Sequence, residues 1–225
     1  MTFDYQKVTL VSLTQPRNLP NIETAEDLIA YCARVSNPSN QTNTDTAPKL
    51  LKYCMDHGHI SIFEMVDVTL EIETTRDIGR QILRHRSFSF QEFSQRYADA
   101  SQLGFVDRQT RLQDTKNRQN SVLIAYDDHI QGKIDKAWQM KQEQIQHEAK
   151  LAYKWALENN IAKEQARAVL PEGMTMSRMY MKGSLRSWYH YCQLRMKNGT
   201  QREHIDIAEK AWVILCDEFK FLKSL

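Results

Sequence analysis

The sequence predicts an α+β fold, a single domain over residues 1–225 with a small, mostly antiparallel sheet and several helices. Three observations carry this. Residues 64–74 alternate with period two, Val66, Val68, Leu70 and Ile72 against Asp67, Thr69, Glu71 and Glu73, as a strand with one wet face requires. Helix-patterned stretches outnumber such runs and never interleave with them in a βαβ rhythm. None of the 7 glycines builds GxGxxG or a P-loop, which argues against a Rossmann dinucleotide site.

In chain order, alternation around Val8, Leu10 and Ser12 gives a first short strand. Thr24 with Asp27 three positions on forms an approximate capping box for a helix through Tyr31. Thr46 and Pro48 open a second helix carrying Leu50, Leu51 and Cys54; Gly58 closes it, with His59 in the turn that follows. After the 64–74 strand, residues 76–84 read as a helix with Ile78, Ile82 and Leu83 inward. Residues 107–120 are polar and patternless and are expected to be a mobile loop or insertion. A long helical stretch, about 121–159, is expected to break near Gly132. A short helix ends at Pro171, residues 174–182 suit a strand, Ser184 caps a helix to about Met196, and Ile205, Ala208, Trp212, Cys216 and Phe219 line a last helix.

A net charge of +2 with mixed signs provides no global field for a nucleic-acid backbone and suits a small anion held by local arginines. Cys32, Cys54, Cys192 and Cys216 make no CxxC pair and read as buried, reduced residues. No signal-like or membrane-spanning run is present, so a cytoplasmic protein is expected, in a host cytoplasm if the source is viral. His57, His59 and His85 lack a carboxylate or cysteine partner, so no metal site is expected.

The densest chemistry is Arg84-His85-Arg86-Ser87-Phe88-Ser89-Phe90-Gln91-Glu92-Phe93-Ser94-Gln95-Arg96-Tyr97. Arginine forks match phosphate oxygens and serine hydroxyls add short neutral donors, each charge-assisted bond contributing about 1.5–3 kcal/mol. The same interleaving of arginine and phenylalanine would also let a nucleotide- or single-stranded nucleic-acid-binding protein stack bases. That alternative predicts a broad basic surface.

The positions of Arg84, His85, Arg86, Ser89, Ser94 and Arg96 resemble the Arg-His-Arg, two residues, Ser, four residues, Ser, one residue, Arg signature of the flavin-dependent thymidylate synthases. His57-Gly58-His59-Ile60-Ser61-Ile62-Phe63-Glu64, Ala166-Arg167-Ala168-Val169-Leu170-Pro171, and Arg186-Ser187-Trp188-Tyr189-His190 with Leu194-Arg195 resemble further family segments, so the likeness spans most of residues 57–203. It implies reductive methylation of deoxyuridine monophosphate (dUMP) to thymidine monophosphate, with FAD as cofactor and NADPH and 5,10-methylenetetrahydrofolate as co-substrates. It implies a dUMP site from Gln81, Ile82, Leu83, Arg84, Glu92, Phe93, Ser94, Gln95, Arg96, Arg167 and Arg195, the last also catalytic by stabilising the uracil ionised at N3. It implies a flavin site from His59, Ser61, Arg84, His85, Arg86, Glu92, Ser184, Leu185, Arg186 and His190, in a homotetramer whose sites are shared between subunits, with neither nucleic acid nor membrane as partner. Ser184 stands where many members carry Asn, and Gly199 where His or Arg is common. Arg186 and Arg195, nine residues apart, fall on opposite faces of a straight helix, so either the helix ends early or the two serve different sites.

Overall fold

The computed structural model describes residues 3–99, 104–125 and 128–224. Strands β1 (Lys7–Leu13), β2 (Asp67–Thr75), β3 (Ser89–Glu92) and β6 (Met176–Ser184) form one antiparallel sheet in the order β1-β2-β6-β3. Along β2 the alternation works as read: Val68, Leu70 and Ile72 are fully buried, and Met179 and Met181 of β6 join them. The other face carries cross-strand charge pairs, Lys182 to Asp67 at 2.6 Å and Arg178 to Glu73 at 3.4 Å.

The buried face packs on helices α1 (Ala25–Ala33), α2 (Ala47–Asp56), α3 (Arg76–Ile82), α6 (Leu185–Arg195) and α7 (Arg202–Glu218), which share one hydrophobic core with it. Trp188 of α6 is fully buried and its indole N–H donates to the Val68 carbonyl at 3.0 Å, so the largest core side chain leaves no polar atom unpaired. Local signals set the helix ends. Thr24 and Asp27 make both bonds of the capping box, at 3.1 Å each. At the end of α2, Gly58 adopts φ +73° while the N–H groups of Gly58 and His59 bond the Met55 and Cys54 carbonyls, a Schellman closure that turns His59 to the surface.

Two expectations need correction. The 107–120 stretch contains β4 (Arg111–Gln113), paired antiparallel with β5 (Ser121–Leu123). A three-residue strand in a polar hairpin has too little alternation to register in sequence. The long helix begins only after this hairpin, as α4 (His129–Glu158), and runs unbroken through Gly132; Tyr126 and Asp127 lie outside the described residues. Asp128 caps it, accepting from Ile130 and Gln131 at 2.8 and 3.1 Å, and a single glycine costs a helix only about 1 kcal/mol. α5 (Lys163–Ala166) then packs on α4 through Ala166, Tyr153 and Ala156.

Candidate active site

The arginine-rich segment leaves the end of α3 and is clamped to the sheet. His85 N–H bonds the Ile82 carbonyl at 3.0 Å, and Phe88 lies over Gly183 of β6 with its ring 4.9 Å from Trp188. A Cβ at Gly183 would sit 2.5 Å from the Phe88 ring, so only glycine admits this approach. β3 then pairs with β6, from Ser89 opposite Lys182 to Glu92 opposite Met179. The segment thus presents one cluster of side chains before β3 and another after it.

The first cluster centres on Arg195, the last residue of α6. Its Nε donates to His85 Nε2 at 2.9 Å, which requires that ring nitrogen to be unprotonated. Burial, and then the Arg195 charge, push the His85 pKa down to about 4. Beside it, fully buried His204 bridges Gln81 and Tyr191: Nδ1 meets Gln81 Oε1 at 3.3 Å and Nε2 meets the Tyr191 hydroxyl at 3.1 Å. Gln81 Nε2 donates to Gln201 Oε1 at 2.7 Å, so the Gln81 oxygen faces His204 and takes the Nδ1 proton; Nε2 then accepts from Tyr191. Burial, followed by the charges of Arg195 and His85, lowers the His204 pKa to about 3. Arg195 thus stands among neutral rings.

These two histidines give the protein an acid-labile window. In the unfolded chain each returns to about 6.5, so below that pH the unfolded state binds protons that the folded state refuses. Their contribution is fully present above about 6.5 and is lost as pH falls towards the folded values. The melting temperature is expected to drop between pH 7 and pH 5, above the carboxylate range, and the drop to shrink in His204→Gln. A thermal-melt series showing no change over that interval contradicts the assignment.

The second cluster gathers Arg96 and Arg167 around Glu164, with the Ser94 hydroxyl accepting from the Arg96 N–H at 3.4 Å. Arg96 Nε lies 3.4 Å from the Glu164 carboxylate and Arg167 Nε donates to the Glu164 carbonyl at 3.3 Å. With Arg96 and Glu164 both half exposed, that ion pair contributes at most about 1 kcal/mol, less than the about 1.5–3 kcal/mol of a charge-assisted bond to phosphate. A phosphate can therefore take Arg96 from Glu164. Gln95 is buried, and its Nε2 has no hydrogen-bond partner among the described residues. Glu92 is already engaged, accepting from Arg76 at 3.4 Å and Ser177 at 3.2 Å. Phe93 is half-buried and holds the turn through its N–H bond to the Arg178 carbonyl. Ile82 is fully buried in the core and Leu83 packs against it, so those two side chains shape the segment from behind.

Ser94→Ala is expected to weaken nucleotide binding by roughly 1.5–3 kcal/mol, the worth of one charge-assisted bond. Titration calorimetry with dUMP checks this; unchanged affinity removes Ser94 from the phosphate.

Residues expected at the flavin divide similarly. His59, Ser61 and His190 are exposed. Arg186 donates to Glu64 at 3.1 Å, fastening α6 to the 3-10 segment Ile60–Met65 that follows His59. Arg84 and Arg86 are exposed and have no side-chain partner among the described residues. Exposed arginines without side-chain partners suit an anionic dinucleotide such as FAD. Ser184 and Leu185 are otherwise engaged. The Ser184 hydroxyl caps α6, accepting from Ser187 N–H at 3.3 Å, and Leu185 is fully buried with its N–H on the Val66 carbonyl at 2.9 Å. Helix geometry forces this, because the start of α6 must face the core to seat Trp188.

α6 runs straight through to Arg195, so Arg186 and Arg195 do lie on opposite faces, one against Glu64 and the other against His85. Sequence reading missed His204, Tyr191 and Gln201. Nothing local marks them, since Gln201 and His204 meet Gln81 across 120 and 123 residues.

A four-stranded antiparallel sheet backed by helices, with arginines grouped before and after an edge strand, defines an α+β protein built around anion-binding clusters. Residues 19–219 match the family model described as thymidylate synthase complementing protein. The chain is 50% identical over 211 residues to the probable flavin-dependent thymidylate synthase of Paramecium bursaria Chlorella virus 1, covering 93% of this chain and 94% of that protein. It is 48% identical over 214 residues to the flavin-dependent thymidylate synthase of Synechocystis, covering 94% and 95%. The UMP/dUMP methylase PolB of Streptomyces cacaoi, solved with 5-Br dUMP, superposes with a TM-score of 0.77 at 25% identity, over 97% of this chain and 93% of that one. The chain belongs to the flavin-dependent thymidylate synthase family.

Proposed function

We propose that the protein reductively methylates dUMP to thymidine monophosphate in the cytoplasm, taking carbon from 5,10-methylenetetrahydrofolate and reducing equivalents from NADPH. The observation that carries this reading is the Arg195–His85 contact at 2.9 Å inside a shell of neutral His204 and Tyr191. A fixed cation in such a pocket stabilises a uracil ionised at N3, which makes C5 nucleophilic without an enzyme thiol. The cysteines agree: Cys192 is buried with its pKa raised chiefly by burial, and none of the four is disulfide-bonded.

Ser94, Arg96 and Arg167 hold the phosphate, Gln81 and Arg195 meet the base, and Glu92, fixed by Arg76 and Ser177, orients the turn between them. Bound FAD supplies hydride-carrier chemistry. Arg84, Arg86 and Arg186 neutralise its phosphates, with His59, Ser61 and His190 beside them. The opposed directions of Arg186 and Arg195 support a homotetramer in which one copy's α6 serves the flavin of one site and the base of another. All 225 residues act as one functional domain.

Purified protein is expected to be yellow, and dUMP to shift its flavin absorption. Protein that stays colourless after incubation with FAD overturns the proposal.

A further inference from the structure

The leading turn of α7 grips the Gln81 carboxamide from both sides. Gln201, the residue that precedes the helix, accepts from Gln81 Nε2 at 2.7 Å, and His204 gives its Nδ1 proton to Gln81 Oε1 at 3.3 Å. The helix sets that spacing, because the His204 N–H bonds the Gln201 carbonyl at 2.9 Å. Behind the ring, the Tyr191 hydroxyl of α6 donates to His204 Nε2 at 3.1 Å. One line of hydrogen bonds thus joins α3, α6 and α7.

A glutamine amide left to itself is a poor reader of a base. Its oxygen and nitrogen exchange places by a half-turn, so it meets a carbonyl or an amino group equally well. Here a half-turn sets Gln81 Oε1 against Gln201 Oε1 and the Gln81 NH2 against the His204 Nδ1–H, two repelling pairs in place of two bonds. Gln201 is half-buried and can turn its own amide to relieve the first. His204 has no such freedom. It is fully buried, its neutral ring carries a single proton, and Tyr191, 1% exposed, occupies the other nitrogen. Turning the ring over brings carbon, not nitrogen, to Gln81.

Among the described residues Gln81 Nε2 makes one bond, to Gln201, which leaves its second N–H for a ligand. That N–H belongs to the cluster of Arg195, whose partner His85 lies edge-on to the His204 ring with centroids 6.2 Å apart.

We propose that His204 is a positioning residue for base selection: it holds the Gln81 carboxamide in one orientation, so that the free Nε2–H faces the carbonyl that uracil carries at C4. This rests on the reading, given above, that Gln81 and Arg195 meet the base. Cytosine presents an amino group at that position. Donor then faces donor, and the site's own N–H is left unpaired.

The test is titration calorimetry of the flavin-loaded protein with dUMP and with deoxycytidine monophosphate (dCMP), for the wild type, His204→Leu, His204→Gln, His204→Asn and Gln81→Ala. Asparagine places its amide nitrogen where imidazole Nδ1 stands and glutamine where Nε2 stands, so only His204→Asn keeps a donor for Gln81. All three His204 variants replace a fully buried ring and are expected to melt below the wild type, so a merely structural role moves them together. The ratio of dCMP to dUMP dissociation constants is expected to fall about tenfold in His204→Leu and His204→Gln and to keep its wild-type value in His204→Asn. Where His204→Leu does not fold, the contrast between the other two decides. An unchanged ratio in His204→Gln, or a fallen one in His204→Asn, overturns the proposal. Gln81→Ala shows where it failed: a fallen ratio there keeps Gln81 at the base and removes only His204, whereas an unchanged ratio, or a wild type without preference for dUMP, removes Gln81 from the base as well.

Discussion

Arg195→Ala is expected to lower kcat by about 10²–10³-fold or more, the scale seen when a single charge-stabilising donor is removed from a transition state. Among the described residues Arg195 is the only arginine hydrogen-bonded to His85, and it does so beside buried His204. Flavin content is expected to hold, because Arg186, His59 and Ser61 lie with the opposite face of α6. Steady-state turnover and the protein's flavin absorbance measure the two effects separately. Near-normal turnover removes Arg195 from the chemistry; loss of flavin makes it a structural residue instead.

The second large effect is on stability. Glu203 is 1% exposed and joined to Arg111 by two short bonds. Burial pushes its pKa up, but the bonds from Arg111 and the charges of Arg111 and Arg108 outweigh that and hold it below the ordinary value. Glu203→Ala leaves Arg111, 12% exposed, uncompensated, with its Nη1 already without a hydrogen-bond partner among the described residues. Breaking such a pair typically costs about 3–5 kcal/mol, which for a chain of this size lowers the melting temperature by roughly 10 °C. Lys52→Ala, which breaks an exposed pair with Asp56, serves as the contrast at under about 1 kcal/mol. Equal melting temperatures for the two variants would show that Arg111 and Glu203 do not hold the hairpin to α7.

Much of the fold was legible because its signals are local. The alternation of Val68, Leu70 and Ile72 found a central strand, and Thr24 with Asp27 found a helix start, since each pattern is enforced within a few residues by pleat or by cap. The opposed faces of Arg186 and Arg195 were readable for the same reason, from helix period. What escaped depends on distant chain. β3 is four residues long and is a strand because β6 offers it an edge, with Phe88 fitted over Gly183. β4 is held by the ion pair of Arg111 with Glu203, and the chain leading into it by that of Arg108 with Asp77, neither partner near in sequence. The family role that the resemblance implies for Ser184 and Leu185 is not marked locally; in three dimensions the Ser184 hydroxyl caps α6 and the Leu185 side chain lies in the core. His204 looked like any residue on a helix; its meaning comes from Gln81 and Tyr191, which only the packing of α3, α6 and α7 brings to it.

The central claim is that Arg195 and its neutral shell activate the uracil of dUMP for methyl transfer. Tritium release from C5-labelled dUMP, with 5,10-methylenetetrahydrofolate and NADPH present, tests it most directly. Release that requires both co-substrates and falls to near background in Arg195→Ala is the predicted result; a flavin-loaded wild type that releases no tritium above background, or an Arg195→Ala variant that releases it at the wild-type rate, contradicts it.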